Sequence, residues 1–361
     1  MQRVSVISSI GQPLMPTKAS RARRWLREGK AIIYQNPLNV FTVQLVNEPS
    51  GYETQPIAVG IDPGKMFSGI AVQSAKATIW TGHLVLPYPK VRDRMETRRM
   101  MRRTRRSRRI NRKVVFDNRA HRQKRFDNRV SKKLPPSIKA NRDLEFRVVS
   151  EFFKFYPLNY IVYEVVKAKG TKAFSPAMVG QYQSIKRLEE LYSIPVLQKM
   201  GWETSSARKG LGLAKDKTDK SRQTVETHAN DGIALASFPF RKVKTKYFRN
   251  GKTVTPTIAK VTPAPFAVVS RPPISRSQLH LLQFAKGGKR RKYGGTTTRY
   301  GFRKGDYVEA VKAGKTYQGW VSGDTKTQVS VSDCNWKRIG QFTARKVRLL
   351  KRSTGLIVNN K

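Results

Sequence analysis

Residues 98–112 read RRMMRRTRRSRRINR. Wound as a helix, this run puts arginine on every face and has no apolar stripe to bury in a protein core. Like charges four residues apart oppose the helix unless something anionic lies along it. The run is internal, flanked by segments patterned to fold, whereas a solvated basic tail suits a terminus. Arginine rather than lysine favours bidentate contact with phosphate. We therefore read residues 92–130 as an arginine-rich helix lying on RNA. Its phosphate contacts would be Arg98, Arg99, Arg102, Arg103, Arg105, Arg106, Arg108, Arg109 and Arg112.

The rest of the chain has the same bias. The 361 residues carry 73 Lys+Arg against 23 Asp+Glu, a formal net charge of +50. A compact state with that charge repels itself unless a polyanion neutralises it. The excess peaks over 92–142, with 21 basic and 4 acidic residues, and over 241–361, with 28 and 4. Hydrophobic content of 38% is enough for folded cores. One cysteine, Cys334, rules out an internal disulfide or a cysteine-rich zinc site, and only His83, His121, His228 and His280 are available as histidine ligands. A catalytic metal must then rest mainly on carboxylates. Neither a membrane-length apolar run nor a signal-peptide pattern is present, and the expected location is the cytoplasm.

Residues 1–50 read as a small α+β unit: an extended VSVISSI, a turn at GQPLMPT, a short basic helix ended by Gly29, and two strand-like runs. Residues 55–87 read as a three-stranded antiparallel meander with short connections. Residues 143–156 have helical apolar spacing at 144, 148, 152 and 155, and LNYIVYEVV reads as a buried parallel strand. A helix over 178–193, a strand at IPVLQKM and a helix at THANDGIALASF with Thr227 as N-cap follow. The order βββ-α-β-α-β-α is that of the ribonuclease H-like α/β fold. Residues 241–300 read as a basic connection with short strands, and 301–352 as a small β-barrel or sheet.

With so few acids, those inside apolar runs matter most. Asp62 follows Ile57–Ile61, and Glu164 interrupts Tyr160–Val166. Alone, Asp62 also reads as a turn cap and Glu164 as an ion-pair partner of Lys167 or Lys169. His228 and Asp231, three apart, would share a helix face, although Asp231 also suits a helix N-terminus. In the fold order above, the first and fourth strands are neighbours and the last helix packs over them. Asp62, Glu164 and Asp231 would then meet, and three carboxylates repel unless divalent cations bridge them. Oxygen ligands point to two Mg²⁺ ions, with Mn²⁺ as the alternative, as in phosphodiester cleavage. His228 would take the proton of the attacking water.

Five strings in order, Pro13-Leu14-Met15-Pro16, the GIDPG of Asp62, the arginine run, the VYEVVKAKG of Glu164 and His228-Ala229-Asn230-Asp231, resemble the transposon-encoded RNA-guided proteins of the IscB group, relatives of the CRISPR type II effectors. The resemblance implies a PLMP domain over 1–54, RuvC segments over 55–91, 131–200 and 201–240 split by a bridge helix over 92–130, and a basic β-rich module over 241–361. Members of the group insert an HNH nuclease between Glu164 and His228, but the 63 residues between them here contain neither histidine nor cysteine. That is the pattern of the HNH-lacking IsrB branch. It implies a nickase guided by a structured omega RNA that cuts the displaced, non-target DNA strand, working as a monomeric protein in a ribonucleoprotein. The C-terminal module would meet the flanking motif or RNA through Lys289, Arg290, Arg291, Lys292, Arg299, Arg303 and Lys304. The rival readings are a RuvC-like resolvase or transposase nuclease without a guide, and a non-cleaving RNA-guided DNA-binding protein.

Overall fold

The computed structural model of the chain describes residues 3–108, 113–118, 134–167, 178–240, 242–248, 251–257, 259–273 and 296–361. The N-terminal unit is a sheet of β1 (Arg3–Ile7), β2 (Pro13–Lys18), β3 (Ala31–Tyr34) and β4 (Thr42–Leu45), in the order β2-β1-β4-β3. The turn expected at GQPLMPT is shorter than that, because Pro13 already belongs to β2. Two prolines fit there since β2 is an edge strand and β1 bulges between Val4 and Val6. Helix α1 (Ala19–Arg27) buries Ala22 and leaves Arg21, Arg23, Arg24 and Arg27 exposed; Gly29, at φ +69°, follows its end.

The central sheet starts with β5 (Ile57–Asp62), β6 (Phe67–Ser74) and β7 (Thr78–Val85), which form the expected antiparallel meander. Helix α2 (Tyr88–Arg108) begins earlier than the expected residue 92 and carries the arginine run through Arg108. Arg109, Arg112 and the rest of the stretch to 130, apart from 113–118, lie outside the described residues. Helix α3 (Pro136–Phe152) starts seven residues before the expected 143, because Pro136 takes the first helical position, where its missing N–H costs nothing. Leu144, Val148, Phe152 and Phe155 are all fully buried, as their spacing predicts.

Next come β8 (Leu158–Val165), α4 (Gln181–Tyr192), β9 (Val196–Met200), α5 (Gly201–Gly210) and α6 (Asn230–Ala236). Strand β8 runs parallel to β5, and β9 parallel to β8. The hairpin of β10 (Lys242–Phe248) and β11 (Gly251–Thr257) precedes β12 (Phe266–Ser270). The C-terminal sheet has β13 (Tyr307–Lys312), β14 (Lys315–Asp324), β15 (Gln328–Ser332), β16 (Arg338–Thr343) and β17 (Val347–Lys351), all antiparallel in the order β16-β15-β14-β13-β17 around Val308, Val321, Val331 and Phe342. Strand β18 (Ile357–Asn360) ends the chain.

The central sheet has seven strands in the order β18-β12-β7-β6-β5-β8-β9. Strand β12 lies parallel to β7, and β18 antiparallel to β12. Both come from the stretch expected to form a separate C-terminal module, so the chain after residue 240 is stitched twice into the central sheet. Alternation along β5 separates two faces. Ile57, Val59 and Ile61 enter a core with Leu144, Val148 and Phe152 of α3, where the Trp80 and Phe152 rings meet edge to face at 4.8 Å. The other face carries α6. No described helix is long and apolar enough to cross a membrane.

Candidate active site

Asp62 ends β5, and Glu164 lies one residue from the end of β8. The register pairs Ile61 with Tyr163, so the next residue on each strand emerges at the same level on the opposite face, under α6. The helix reaches that face because glycine stands where it crosses. A Cβ on Gly60 would stand 2.2 Å from the Gly232 carbonyl oxygen, and one on Gly69 2.0 Å from that of His228. Gly69 pairs with Asp62 across the β5–β6 ladder, so the segment bearing His228 and Asp231 is laid beside the first carboxylate. Gly69→Ala must push this segment off the sheet. It should lose about 1–3 kcal/mol of stability by denaturant unfolding. A change within ~0.5 kcal/mol, ordinary for a surface site, would show that the contact does not hold the helix.

The charges around Asp62 are unlike those of a turn cap. Burial pushes its carboxyl well above the usual carboxylate range, and the negative charges of Glu164 and Asp231 push further while Lys215 opposes them. Glu164 is also raised by burial and by Asp231, against a hydrogen bond from the Thr204 hydroxyl and the charges of Lys215 and Arg208. The cations acting on it are Lys215 and Arg208 rather than Lys167, and Lys169 lies outside the described residues. Asp231 is buried, with Oδ1 accepting from Arg208 at 2.5 Å and Oδ2 from the Lys215 ammonium.

The donor chemistry suits a divalent cation. Three carboxylates come to one end of the sheet, where Glu164 and Asp231 disfavour ionisation of Asp62, and the Lys215 ammonium supplies positive charge among them. The expected three-carboxylate cluster is not closed around one point, however. Among the described residues no three His, Cys, Asp or Glu groups stand together closely enough to hold an ion. Asp231 turns both oxygens to Arg208 and Lys215.

His228 and Asp231 make different hydrogen bonds but stay close enough that the Asp231 charge and Lys215 both act on His228. The chain enters α6 through a π-helical turn, Val225–Ala229, whose N-cap is Thr224 rather than Thr227. Thr227 is buried and donates to the Thr224 carbonyl at 2.8 Å. His228 Nε2 lies 3.1 Å from the Lys220 carbonyl oxygen, and its ring packs 5.5 Å from Phe67 and 5.0 Å from His83. Burial and Lys215 lower the His228 pKa. His83, its neighbour on β7, is lowered to about 3 by burial and by His228. A neutral His228 donating from Nε2 leaves Nδ1 as its basic nitrogen.

Sequence reasoning missed Arg208, Lys215 and Glu145. Glu145 accepts from the Ser68 hydroxyl at 2.5 Å and from Arg142 at 2.6 Å. Arg142 also donates to the Tyr163 hydroxyl at 3.0 Å and the Gly64 carbonyl at 3.4 Å, and the Gly64 N–H donates to Ser68 at 3.0 Å. This buried network holds the turn that follows Asp62.

The basic candidates lie apart from this site. Arg98, Arg99, Arg102 and Arg103 are exposed on α2, and Arg105, Arg106 and Arg108 belong to its last turns. Arg299 is 3.7 Å from Asp324, and the Arg303 N–H is spent on Asp306 at 2.8 Å. Lys304 is half-buried beside them. Lys289, Arg290, Arg291 and Lys292 lie outside the described residues.

Residues 4–184 match the model of the RRXRR protein family, and this chain belongs to that family, whose domain occurs in IscB- and IsrB-type proteins. Arg102-Arg103-Thr104-Arg105-Arg106 fits the name. The match takes in Asp62, the arginine helix and Glu164, and ends before His228 and Asp231. Among solved structures the chain is similar to Thermus thermophilus RuvC in complex with a Holliday junction substrate, at 13% identity and TM-score 0.29 over 50% of this chain and 90% of that one. A second T. thermophilus RuvC structure gives 13% identity and TM-score 0.26 over the same shares. No curated protein matches the sequence.

Proposed function

We propose that this chain is an RNA-guided DNA nickase of the IsrB type, with a ribonuclease H-like RuvC core. The carrying observation is the placement of Asp62 and Glu164 on adjacent parallel strand ends, under a helix that brings a third carboxylate, Asp231, to the same end of the sheet. The strand order β7-β6-β5-β8-β9, with β6 antiparallel and β8 parallel to β5, is the order that fold requires. An internal arginine helix beside such a core is what a guide RNA would need and what a stand-alone resolvase has no use for.

Asp62, Glu164 and Asp231 would hold two Mg²⁺ ions, which when bound supply an activated water and charge stabilisation at the scissile phosphate. The protein's own groups do the rest. Arg208 and Lys215 hold the Asp231 carboxylate in place, and Lys215 also offsets the charge on Asp62 and Glu164. The Glu145–Arg142–Ser68 network fixes the backbone after Asp62. His228, neutral with Nδ1 basic, would accept the proton of the attacking water. These contacts hold Asp231 and the backbone after Asp62 before any substrate arrives, which is the preorganisation that phosphodiester cleavage demands.

The partners are a structured omega RNA and double-stranded target DNA, met as a monomer in the cytoplasm. Pairing with the guide reads the sequence, and the basic C-terminal strands meet the flanking motif. Purifying the protein from cells and sequencing the RNA that accompanies it tests the reading. One dominant structured RNA with a variable end is expected. A mixture of unrelated RNAs would favour a resolvase or transposase without a guide.

The arginine helix makes a separate prediction. Replacing Arg98, Arg99, Arg102 and Arg103 together with alanine should weaken RNA binding. Each lost phosphate contact should reduce the log–log salt slope by about 0.7–0.9. Affinities from 50 to 300 mM salt, on the order of the range where counterion release dominates, measure this. An unchanged slope would mean that this face of α2 does not meet phosphates.

A further inference from the structure

The turn between β15 and β16 carries a tryptophan in a conformation that tryptophan rarely adopts. Trp336 has φ +66°, in the left-handed region where a bulky side chain crowds its own backbone. The turn imposes this through Asp333. Its Oδ1 accepts from the N–H groups of Asn335 at 3.0 Å and Lys337 at 2.7 Å, and its carbonyl accepts from the Trp336 N–H at 3.0 Å. Glycine or asparagine would suit the position better, so the turn itself does not need the indole.

The surroundings give the ring a use. Trp336 lines a cleft of about 390 Å³ with Phe67, Pro87, Lys90, Arg94 and Arg271. Phe67 packs its ring against His228, with ring centroids 5.5 Å apart, so one wall of the cleft touches a candidate site residue. Asn335 accepts from Gln223 at 3.4 Å, which ties the turn to the segment leading into the His228 turn. The cleft therefore combines aromatic faces, three cationic side chains and, through Phe67, contact with His228. Stacking needs an unpaired base, since a duplex covers both faces of each base, and the cations suit its phosphates. We propose that Trp336 and Phe67 form a base-stacking subsite for single-stranded DNA on its way to Asp62, Glu164 and Asp231. The inference rests on the nuclease reading above and deepens it by naming where the cut strand is gripped. Guide RNA is the competing occupant; α2 contributes Lys90 and Arg94 to the cleft, and DNA is favoured because Phe67, on the same cleft, packs against His228 while the arginine run 98–103 does not line it.

The test uses the full-length protein with its bound RNA, in EDTA so that nothing is cut. Single-stranded DNA carrying 2-aminopurine at successive positions reports stacking as fluorescence quenching. One position should quench with the wild type and with Trp336→Phe, and should not quench with Trp336→Gly. Affinity for the strand should fall roughly 5- to 150-fold in Trp336→Gly, the span for losing one stacked base. The melting temperature of Trp336→Gly should equal or exceed that of the wild type. Unchanged quenching in Trp336→Gly, a response only when the probe is moved into the RNA, or a lowered melting temperature would each overturn the proposal. Binding is read without cleavage, so a protein that never cuts DNA leaves a positive stacking result standing. Conversely, normal cutting with unchanged quenching sinks the subsite alone.

Discussion

Glu164→Gln and Asp62→Asn should each reduce strand cleavage about a hundredfold or more while leaving RNA binding intact. Losing even an outer partner of a metal ligand typically costs roughly 10- to 100-fold, so losing a direct ligand should cost more. RNA binding should survive because both residues lie on the sheet under α6, away from the exposed arginines of α2. The same substitutions should stabilise the protein in EDTA. Burial and neighbouring charge raise Asp62 above its unfolded value, so between those two values the folded state holds a proton that the unfolded chain has released. Stability is then greatest at low pH and falls as pH rises through the folded pKa. An amide at position 62 removes that loss, and the melting temperature at neutral pH should rise by about 2–4 °C for each kcal/mol relieved. Restoring Mg²⁺ should raise the melting temperature of the wild type more than that of Asp62→Asn. Full cleavage by Glu164→Gln would remove this residue from the active site. A melting temperature for Asp62→Asn below the wild type in EDTA would show that its charge is already compensated.

The elements that position these carboxylates were legible because local pattern and tertiary need agree. The meander over 55–87 has connections too short for anything but antiparallel neighbours. Strand β8 is apolar along most of its length because the sheet covers it on both sides, and that made Glu164 conspicuous. Other features carried no local signal. Arg142 and Glu145, three apart in an amphipathic helix, look like a surface ion pair, yet both are buried and hold the turn after Asp62. Lys215 sits in a lysine-rich loop, where nothing distinguishes the one ammonium that reaches Asp231. The π-helical turn before α6 packs closely on Gly69, a tertiary contact that the spacing of His228 and Asp231 cannot report. Strand β12 is five residues long and pairs with β7 across most of the chain, and β18 has β12 as its neighbour. Short strands with distant partners look like any apolar stretch in a basic region.

A guided reaction on a duplex labelled differently on its two strands should give a nick in the displaced strand, with the guide-paired strand intact while the nick forms. Asp62, Glu164 and Asp231 act on one another at one end of the sheet, and the stretch between Glu164 and His228 has no histidine or cysteine from which to build a second nuclease site. One two-metal site cuts one phosphodiester per engagement. The choice of strand follows from access. The guide-paired strand is held in an A-form heteroduplex by its backbone, while the displaced strand is single and free to thread a narrow site. Asp62 and Glu164 are half-buried at the sheet end beside α6, and Asp231 is buried, so a flexible single strand can reach them where a bulky heteroduplex would meet the helix. A denaturing gel resolving both labels decides the outcome. Equal early cutting of the guide-paired strand would contradict the access argument and require a second catalytic centre, to be sought in the stretches outside the described residues.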